Sequence, residues 1–234
     1  KKGIAFFLKR DIYLYLLLLL PVAYYIVFMY VPMYGVTIAF KNYNIFKGIL
    51  RSEWVGFDVF KEVFRSRDFW VAFKNTLVLN ILGVIVGFPG PIILAIMLNE
   101  VKKEKLRSFM QATVYLPHFL SWVVVSGIFI MLLSSQGGLV NTVLESFGIK
   151  PIPFMMKRGW WICVYLLTGI WKEIGWNSII YMAAITNIDP ALYEASYIDG
   201  ANKWNQIWHI TLSGIKPTIV LLLILKMGNM LSIG

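Results

Sequence analysis

Aromatic and polar residues cluster inside an otherwise apolar stretch, residues 160–186. Aromatic rings can stack against the C–H faces of a sugar, and neighbouring ammonium, carboxylate and amide groups can hydrogen-bond its hydroxyls. At helical spacing Lys172 shares a face with Trp176, and Glu173 shares one with Asn177. The candidate substrate-contact residues are Trp171, Lys172, Glu173, Trp176, Asn177 and Tyr181.

The two charges in this stretch have more than one interpretation. Each costs a few kcal/mol inside a membrane helix, so each must face a cavity, a partner helix or the other charge. Adjacent helical positions point about 100° apart, which disfavours a direct Lys172–Glu173 pair. The alternative to a substrate path is structural: a contact with another membrane subunit, with the Trp and Tyr side chains serving only to pack.

A second polar stretch, residues 189–217, follows the first. Asp189 can cap a helix whose first residue is Pro190. Gly200 stands where that helix would end, because glycine accepts positive φ without a Cβ clash. A second short helix with apolar positions at 204, 207 and 208 would follow. This predicts a helix–turn–helix between two membrane spans, and the alternative is an ordinary loop packed on its own protein.

The composition restricts the class of protein. Of the 234 residues, 59% are hydrophobic and 15% are charged, whereas soluble domains average about 45–50% and 25%. The chain is therefore predicted to be an all-α polytopic membrane protein within a lipid bilayer. Basic cytoplasmic loops explain most of the net charge of +10, so no nucleic-acid partner is expected, although the basic segment 35–68 is placed outside by alternation of the spans. The single cysteine and two separated histidines predict no metal site.

Hydrophobic runs long enough to cross a bilayer predict about five spans. Their approximate ranges are 12–34, 69–98, 109–133, 160–186 and 217–234. The basic flank 1–11 and the basic loop 99–108 place the N-terminus in the cytoplasm. Pro89 and Pro91 are expected to break the second span, where its backbone lines a cavity or is buried in protein.

The 189–216 loop resembles the EAA loop of bacterial ABC importer permeases. The likeness rests on Glu194-Ala195-Ser196, then Gly200 after three residues, then Ile210-Thr211-Leu212 after nine. Ser196 stands where the family has Ala, and Ser213 where it has Pro. In the family this loop docks into a groove on the ATP-hydrolysing subunit. The resemblance implies ATPase-coupling residues, which are Tyr193, Glu194, Ala195, Ser196, Asp199, Gly200 and Ala201.

Other motifs extend the resemblance over nearly the whole chain. They include Pro32-Met33-Tyr34-Gly35, Trp54-Val55-Gly56-Phe57, Tyr115-Leu116-Pro117-His118-Phe119 and Trp171-Lys172-Glu173-Ile174-Gly175-Trp176. Together they resemble sugar-importer permeases of the oligo- and polysaccharide subgroup, such as the alginate-importer and LplB-type membrane subunits. This implies one type I ABC importer transmembrane domain over 1–234, multi-pass in a bacterial inner membrane, with a sixth span missing beyond residue 234.

The resemblance also implies partners and a mechanism. A second homologous permease would complete a heterodimer, two ATP-binding subunits would bind inside, and an extracytoplasmic solute-binding protein would deliver the sugar. The sequence lacks a Gly-x-x-x-x-Gly-Lys-Ser/Thr phosphate loop. The chain is therefore expected to be a non-catalytic permease subunit with no cofactor of its own, while the partner ATPases bind ATP and Mg and drive alternating access.

Two other classes of function stay open on the residues alone. An ion-gradient-driven secondary transporter would use intramembrane acidic groups and often inverted repeats, and Glu173 is the obvious acidic candidate. A membrane-embedded glycosyltransferase would need an acidic motif at a membrane face, for which Asp189, Glu194 and Asp199 would have to serve. The spacing of those three acids is better explained by a coupling loop.

Overall fold

The structure is a computed structural model that describes residues 11–230. The predicted basic flank 1–10 and the last residues of the fifth predicted span, 231–234, lie outside the described residues. The chain divides into two compact units, Lys1–Ala72 and Phe73–Gly234.

The first unit contains one long helix and a small extended hairpin. Its elements are α1 (Ile12–Phe40), β1 (Lys41–Asn42), α2 (Gly48–Arg51), β2 (Glu53–Trp54) and α3 (Asp58–Arg65). The strands are antiparallel, with Lys41 opposite Trp54. The Phe40 ring stacks on the Trp54 ring with centroids 5.5 Å apart, so the end of α1 is fixed to the hairpin.

The second unit is built from helices. They are α4 (Arg67–Gly87, which begins in the first unit), α5 (Pro89–Asn99), α6 (Glu104–Tyr115), α7 (Trp122–Leu133), α8 (Leu139–Ser146), α9 (Arg158–Thr186), α10 (Pro190–Ile198) and α11 (Lys203–Gly228). A 3₁₀ turn, Leu116–Phe119, joins α6 to α7.

The helices follow the predicted spans. Among the described residues, three helical stretches are long and apolar enough to cross a membrane, namely α1, α4 with α5, and α11. The pair α6 and α7, bent by 98°, would be a fourth. The 29-residue helix α9 is also long enough, at about 1.5 Å per residue, but polar residues interrupt it. It is the fourth span of the sequence prediction.

Two local predictions differ from the structure. Pro89 and Pro91 cause little interruption, because Pro89 occupies the first turn of α5 and Phe88 N still donates to Val84 O at 3.0 Å. The sharp bend lies instead between α6 and α7. The last membrane helix, expected from 217, is continuous with the helix that begins at Lys203, and Pro217 lies inside it.

The hydrophobic core lies where α5, α9 and α11 meet. Its fully or nearly fully buried side chains are Ala95, Leu98, Tyr181, Met182, Ile185 and Ile215. Of all helix pairs, α9 and α5 pack most extensively. This core holds α9 and α11 together at the end from which both lead into the 189–211 segment.

Gly175 allows the backbones of α9 and α6 to approach each other. A Cβ atom at this position would collide with the backbone carbonyl of Val114, which cannot move as the end of a side chain can. The Ser178 hydroxyl beside it donates to Gly175 O at 2.6 Å, so this buried face of α9 is also satisfied in hydrogen bonding.

We expect Gly175→Ala to destabilise the protein by about 1–3 kcal/mol, because overpacking forces helices apart. The measurement is the midpoint of thermal unfolding of the purified protein in detergent. Gly169→Ala is the matched control, since a Cβ at Gly169 meets nothing within 4 Å. Equal midpoints for the two variants would contradict the close helix contact.

Candidate functional site

The segment after α9 folds as the sequence predicts. Asp189 Oδ1 accepts from Ala191 N at 2.9 Å and caps α10, whose first residue is Pro190. Gly200 has φ +80°, a conformation that glycine adopts without strain, and it turns the chain at the end of α10. The Asn202 side chain then caps α11 by accepting from Asn205 N at 2.8 Å. We call residues 189–211 the coupling element, after the role that the sequence resemblance predicts for this segment.

Side-chain hydrogen bonds fix the two halves of the coupling element to each other. The hydroxyls of Tyr193 and Thr211 lie 3.0 Å apart, and Gln206 Nε2 donates to Ser196 Oγ at 3.0 Å. Lys203 Nζ lies 3.2 Å from Glu100 Oε2, which ties the start of α11 to the end of α5. The element is therefore a folded unit, and it is attached to the end of α5.

An open concave surface lies between the coupling element and the α5–α6 loop, and it encloses a volume of about 600 Å³. Its lining residues are Asn99, Glu100, Lys102, Tyr193, Glu194, Tyr197, Ile198, Lys203 and Gln206. Tyr197 and Ile198 are 79% and 84% exposed, which leaves apolar side chains at its edge.

The predicted coupling residues occupy different parts of this unit. Tyr193 and Glu194 line the concave surface, while Ser196 points inward to Gln206. Asp199 and Gly200 form the turn. Ala195 is exposed on α10, and Ala201 N closes the turn by donating to Ser196 O at 2.9 Å.

A compact polar cluster forms where the bend between α6 and α7 packs against α9. Lys172, which is 5% exposed, donates from Nζ to His118 O at 2.7 Å and lies 3.3 Å from Glu173 Oε1. Glu173 Oε2 lies 2.9 Å from His118 Nδ1. The expectation that Lys172 and Glu173 would not meet is therefore wrong, because the long lysine side chain reaches back across the helix surface.

Aromatic rings cover this polar cluster. The rings of His118 and Trp176 are stacked, with centroids 4.4 Å apart and planes 2° from parallel. Lys172 Nζ lies 5.3 Å from the centroid of the Trp122 ring. His118 and Trp122 are not among the site residues predicted from the sequence. The sequence does contain a sign of His118, because a polar residue directly after Pro117 is unusual inside an apolar run.

A cavity of about 470 Å³ lies beside the cluster, between α4, α5, α7, α9 and α11. Its lining residues are Leu79, Asn80, Gly83, Gly87, Pro91, Trp122, Tyr165, Leu166, Gly169, Ile170, Glu173, Ile174, Asn177 and Lys226. This volume falls within the range of small-molecule sites, about 300–1,000 Å³.

Only some of the predicted substrate-contact residues reach this cavity. Glu173 and Asn177 line it. Trp171 packs against the Phe129 ring at 5.7 Å, and Tyr181 is buried in the core beside Phe88. Lys172 and Trp176 contact His118. The role of all six in substrate contact stays a prediction.

Comparison with known proteins supports an assignment for the whole chain. Residues 87–233 match the family model described as the binding-protein-dependent transport system inner membrane component. The polygalacturonan/rhamnogalacturonan transport system permease protein YteP of Bacillus subtilis (strain 168) is 47% identical over the full chain, which covers 73% of YteP. Protein LplB of the same organism is 42% identical, and the chain covers 74% of it.

Solved structures agree with these relatives. One is a crystal structure of a bacterial ABC transporter involved in the import of the acidic polysaccharide alginate. The match covers 97% of this chain and 76% of the transporter's chain, with a TM-score of 0.89 and 43% identity. The second is a crystal structure of a bacterial alginate ABC transporter in complex with an alginate pentasaccharide-bound periplasmic protein. This match covers 100% of this chain and 77% of the transporter's chain, with a TM-score of 0.91 and 42% identity. The predicted importer fold is thus confirmed, and the chain belongs to the binding-protein-dependent transport system inner membrane components.

Proposed function

We propose that this chain is the membrane-spanning subunit of an ATP-driven importer that moves an oligo- or polysaccharide into the bacterial cytoplasm. The observation that carries the proposal is the likeness of the entire chain to a polygalacturonan/rhamnogalacturonan permease and to alginate importer structures. The cavity among the membrane helices, lined by the Trp122 and Tyr165 rings and by amide side chains, has the chemistry to bind a sugar.

The coupling element is the proposed docking site for a partner ATPase. It presents Tyr193 and Glu194 in an open concavity with exposed Tyr197 and Ile198 at its edge, a surface suited to receive a protein. Two ATPase subunits would bind and hydrolyse ATP with Mg, and a second, similar permease would complete the membrane part. The coupling element and the N-terminus would then both lie in the cytoplasm.

The helices that flank the coupling element suggest how docking moves the cavity. Helix α9 ends at Thr186, directly before the element, and α11 runs without interruption from Lys203 to Gly228. Both helices line the cavity. A displacement of the element by the ATPase would therefore move two cavity walls. Alternating access requires that ATP and loaded binding protein favour different states of this assembly.

Variants in the coupling element test the proposed docking. We expect Glu194→Ala and Gly200→Asp to lower binding-protein-stimulated ATP hydrolysis roughly fivefold or more, since a central interface residue contributes about 1–2 kcal/mol. At Gly200 the new Cβ would also be strained at φ +80°. The measurement uses the full-length chain reconstituted with its partner permease, ATPase and binding protein.

Glu145→Ala is the matched control for that experiment, because Glu145 is an exposed glutamate on α8. Wild-type stimulation in both coupling variants, together with normal co-purification of the ATPase, would show that residues 189–211 are only a connecting loop.

Energy dependence separates the importer from an ion-driven transporter. In proteoliposomes, we expect saccharide uptake to follow ATP supplied on the cytoplasmic side and to survive an uncoupler that abolishes the proton gradient. Uptake that stops with the uncoupler and ignores ATP would instead assign the chain to the ion-driven class, with Glu173 as the candidate proton-binding group.

The polar cluster beside the cavity provides a further test. We expect Glu173→Gln to reduce uptake about tenfold while subunit assembly survives, because it leaves the Lys172 ammonium without its carboxylate. Trp176→Ala should act in the same direction by removing the ring that covers His118. Uptake and co-purification are measured together, with Glu145→Gln as the control. Normal uptake in both variants would remove these residues from the substrate path.

A further inference from the structure

Lys226 is the charged group of the cavity that the polar cluster does not use. It lies on α11, fourteen residues beyond Leu212, which places it about 21 Å along the helix at 1.5 Å per residue. The Nζ atom lies 6.0 Å from the centroid of the Phe88 ring. Among residues 11–230, no carboxylate forms an ion pair with it. Its ammonium lines the same cavity as Asn80, Glu173 and Asn177.

The charges around the cavity do not cancel. Glu173 is the acidic residue in the lining, but both of its oxygens are already engaged, one near Lys172 Nζ at 3.3 Å and one near His118 Nδ1 at 2.9 Å. The Lys172–Glu173 pair is therefore neutral within itself. The Lys226 ammonium therefore gives the cavity a net positive charge. The residue is exposed, so its ammonium is open to a ligand that enters the cavity.

The lining keeps space open next to this ammonium. A Cβ at Gly87 would come within 3.9 Å of Lys226 Nζ and 3.6 Å of Ile170 Cγ1, so the ammonium lies directly beside the backbone of α4. Gly83 and Gly169 also line the cavity, and a Cβ at either would meet nothing within 4 Å. The Asn177 amide and the Trp122 and Tyr165 rings supply hydrogen-bonding and stacking surfaces around it.

We infer that Lys226 binds the carboxylate of a uronic acid and so makes the cavity selective for acidic saccharides. The inference rests on the proposed saccharide function and names the substrate class of that same site. A neutral sugar can use the rings and amides, whereas only an anionic sugar also compensates the ammonium. A charge-assisted contact is stronger than one between neutral groups.

The test compares two trisaccharides that differ only at C6. Trigalacturonate carries carboxylates where galactotriose carries hydroxymethyl groups. Their dissociation constants are measured by equilibrium dialysis on the nucleotide-free complex of this chain with its partner permease and ATPase in nanodiscs, without the binding protein. For wild type we expect trigalacturonate to bind at least about tenfold more tightly. This comparison needs no variant, so it does not depend on how a variant folds.

Substitutions then test whether Lys226 causes the preference for trigalacturonate. Lys226→Gln should weaken trigalacturonate binding at least about tenfold and change galactotriose binding less than about twofold, while Lys226→Arg should restore most of the preference. Lys74→Gln, which removes an exposed lysine from α4 outside the cavity lining, is the matched control and should change neither constant. Equal losses for both sugars in Lys226→Gln would show a structural role and overturn the inference.

The outcomes for wild type separate this inference from the function on which it rests. Binding of both sugars with equal affinity, or of galactotriose alone, would overturn the role of Lys226 and leave a saccharide importer standing. Binding and uptake of neither sugar would remove both. A preference for trigalacturonate that persists unchanged in Lys226→Gln would place the carboxylate contact on other residues and overturn the assignment.

Discussion

The arrangement of the second unit depends on one buried ammonium. Lys172 lies in the middle of α9, where an unsatisfied charge would be costly. Its principal acceptor, His118 O, belongs to the bend between α6 and α7, where the chain leaves helical geometry and a backbone carbonyl becomes available. The bend and the charge therefore satisfy each other. Gly175, one turn further along α9, allows the backbone of α6 to come close enough for this contact.

The sequence predicts those features whose causes are local. The Asp189 cap, the first turn at Pro190 and the positive φ of Gly200 follow from the chemistry of single residues, and the structure has all three. The apolar runs likewise predict the membrane helices, because a bilayer imposes a minimum length on any helix that crosses it.

Features that depend on distant contacts could not be predicted in this way. Proline disfavours helical geometry in the turn before it but is accommodated in a first turn, so Pro89 can begin a helix smoothly. The sharp bend lies between Phe119 and Trp122, after the 3₁₀ turn that contains Pro117. Nothing in the local sequence shows that Lys172 reaches His118, which is 54 positions away. The cavity is a property of five packed helices, and Lys226 becomes notable only once α11 is placed beside α4 and α9.

The position of the core gives the coupling element leverage over the cavity. Ile185 on α9 and Ile215 on α11 are buried together with Leu98 near the ends of these helices that lead into the element. On α9, the cavity residue Leu166 lies nineteen positions from Ile185, or about 28 Å, whereas the helix ends one residue beyond Ile185 on the other side. A tilt of α9 about this packed layer thus moves its cavity end much further than its loop end. Close packing makes the layer resist compression. If an ATPase docks on the element as proposed, its push would be passed on as rotation of whole helices and would change the shape of the space around Lys226.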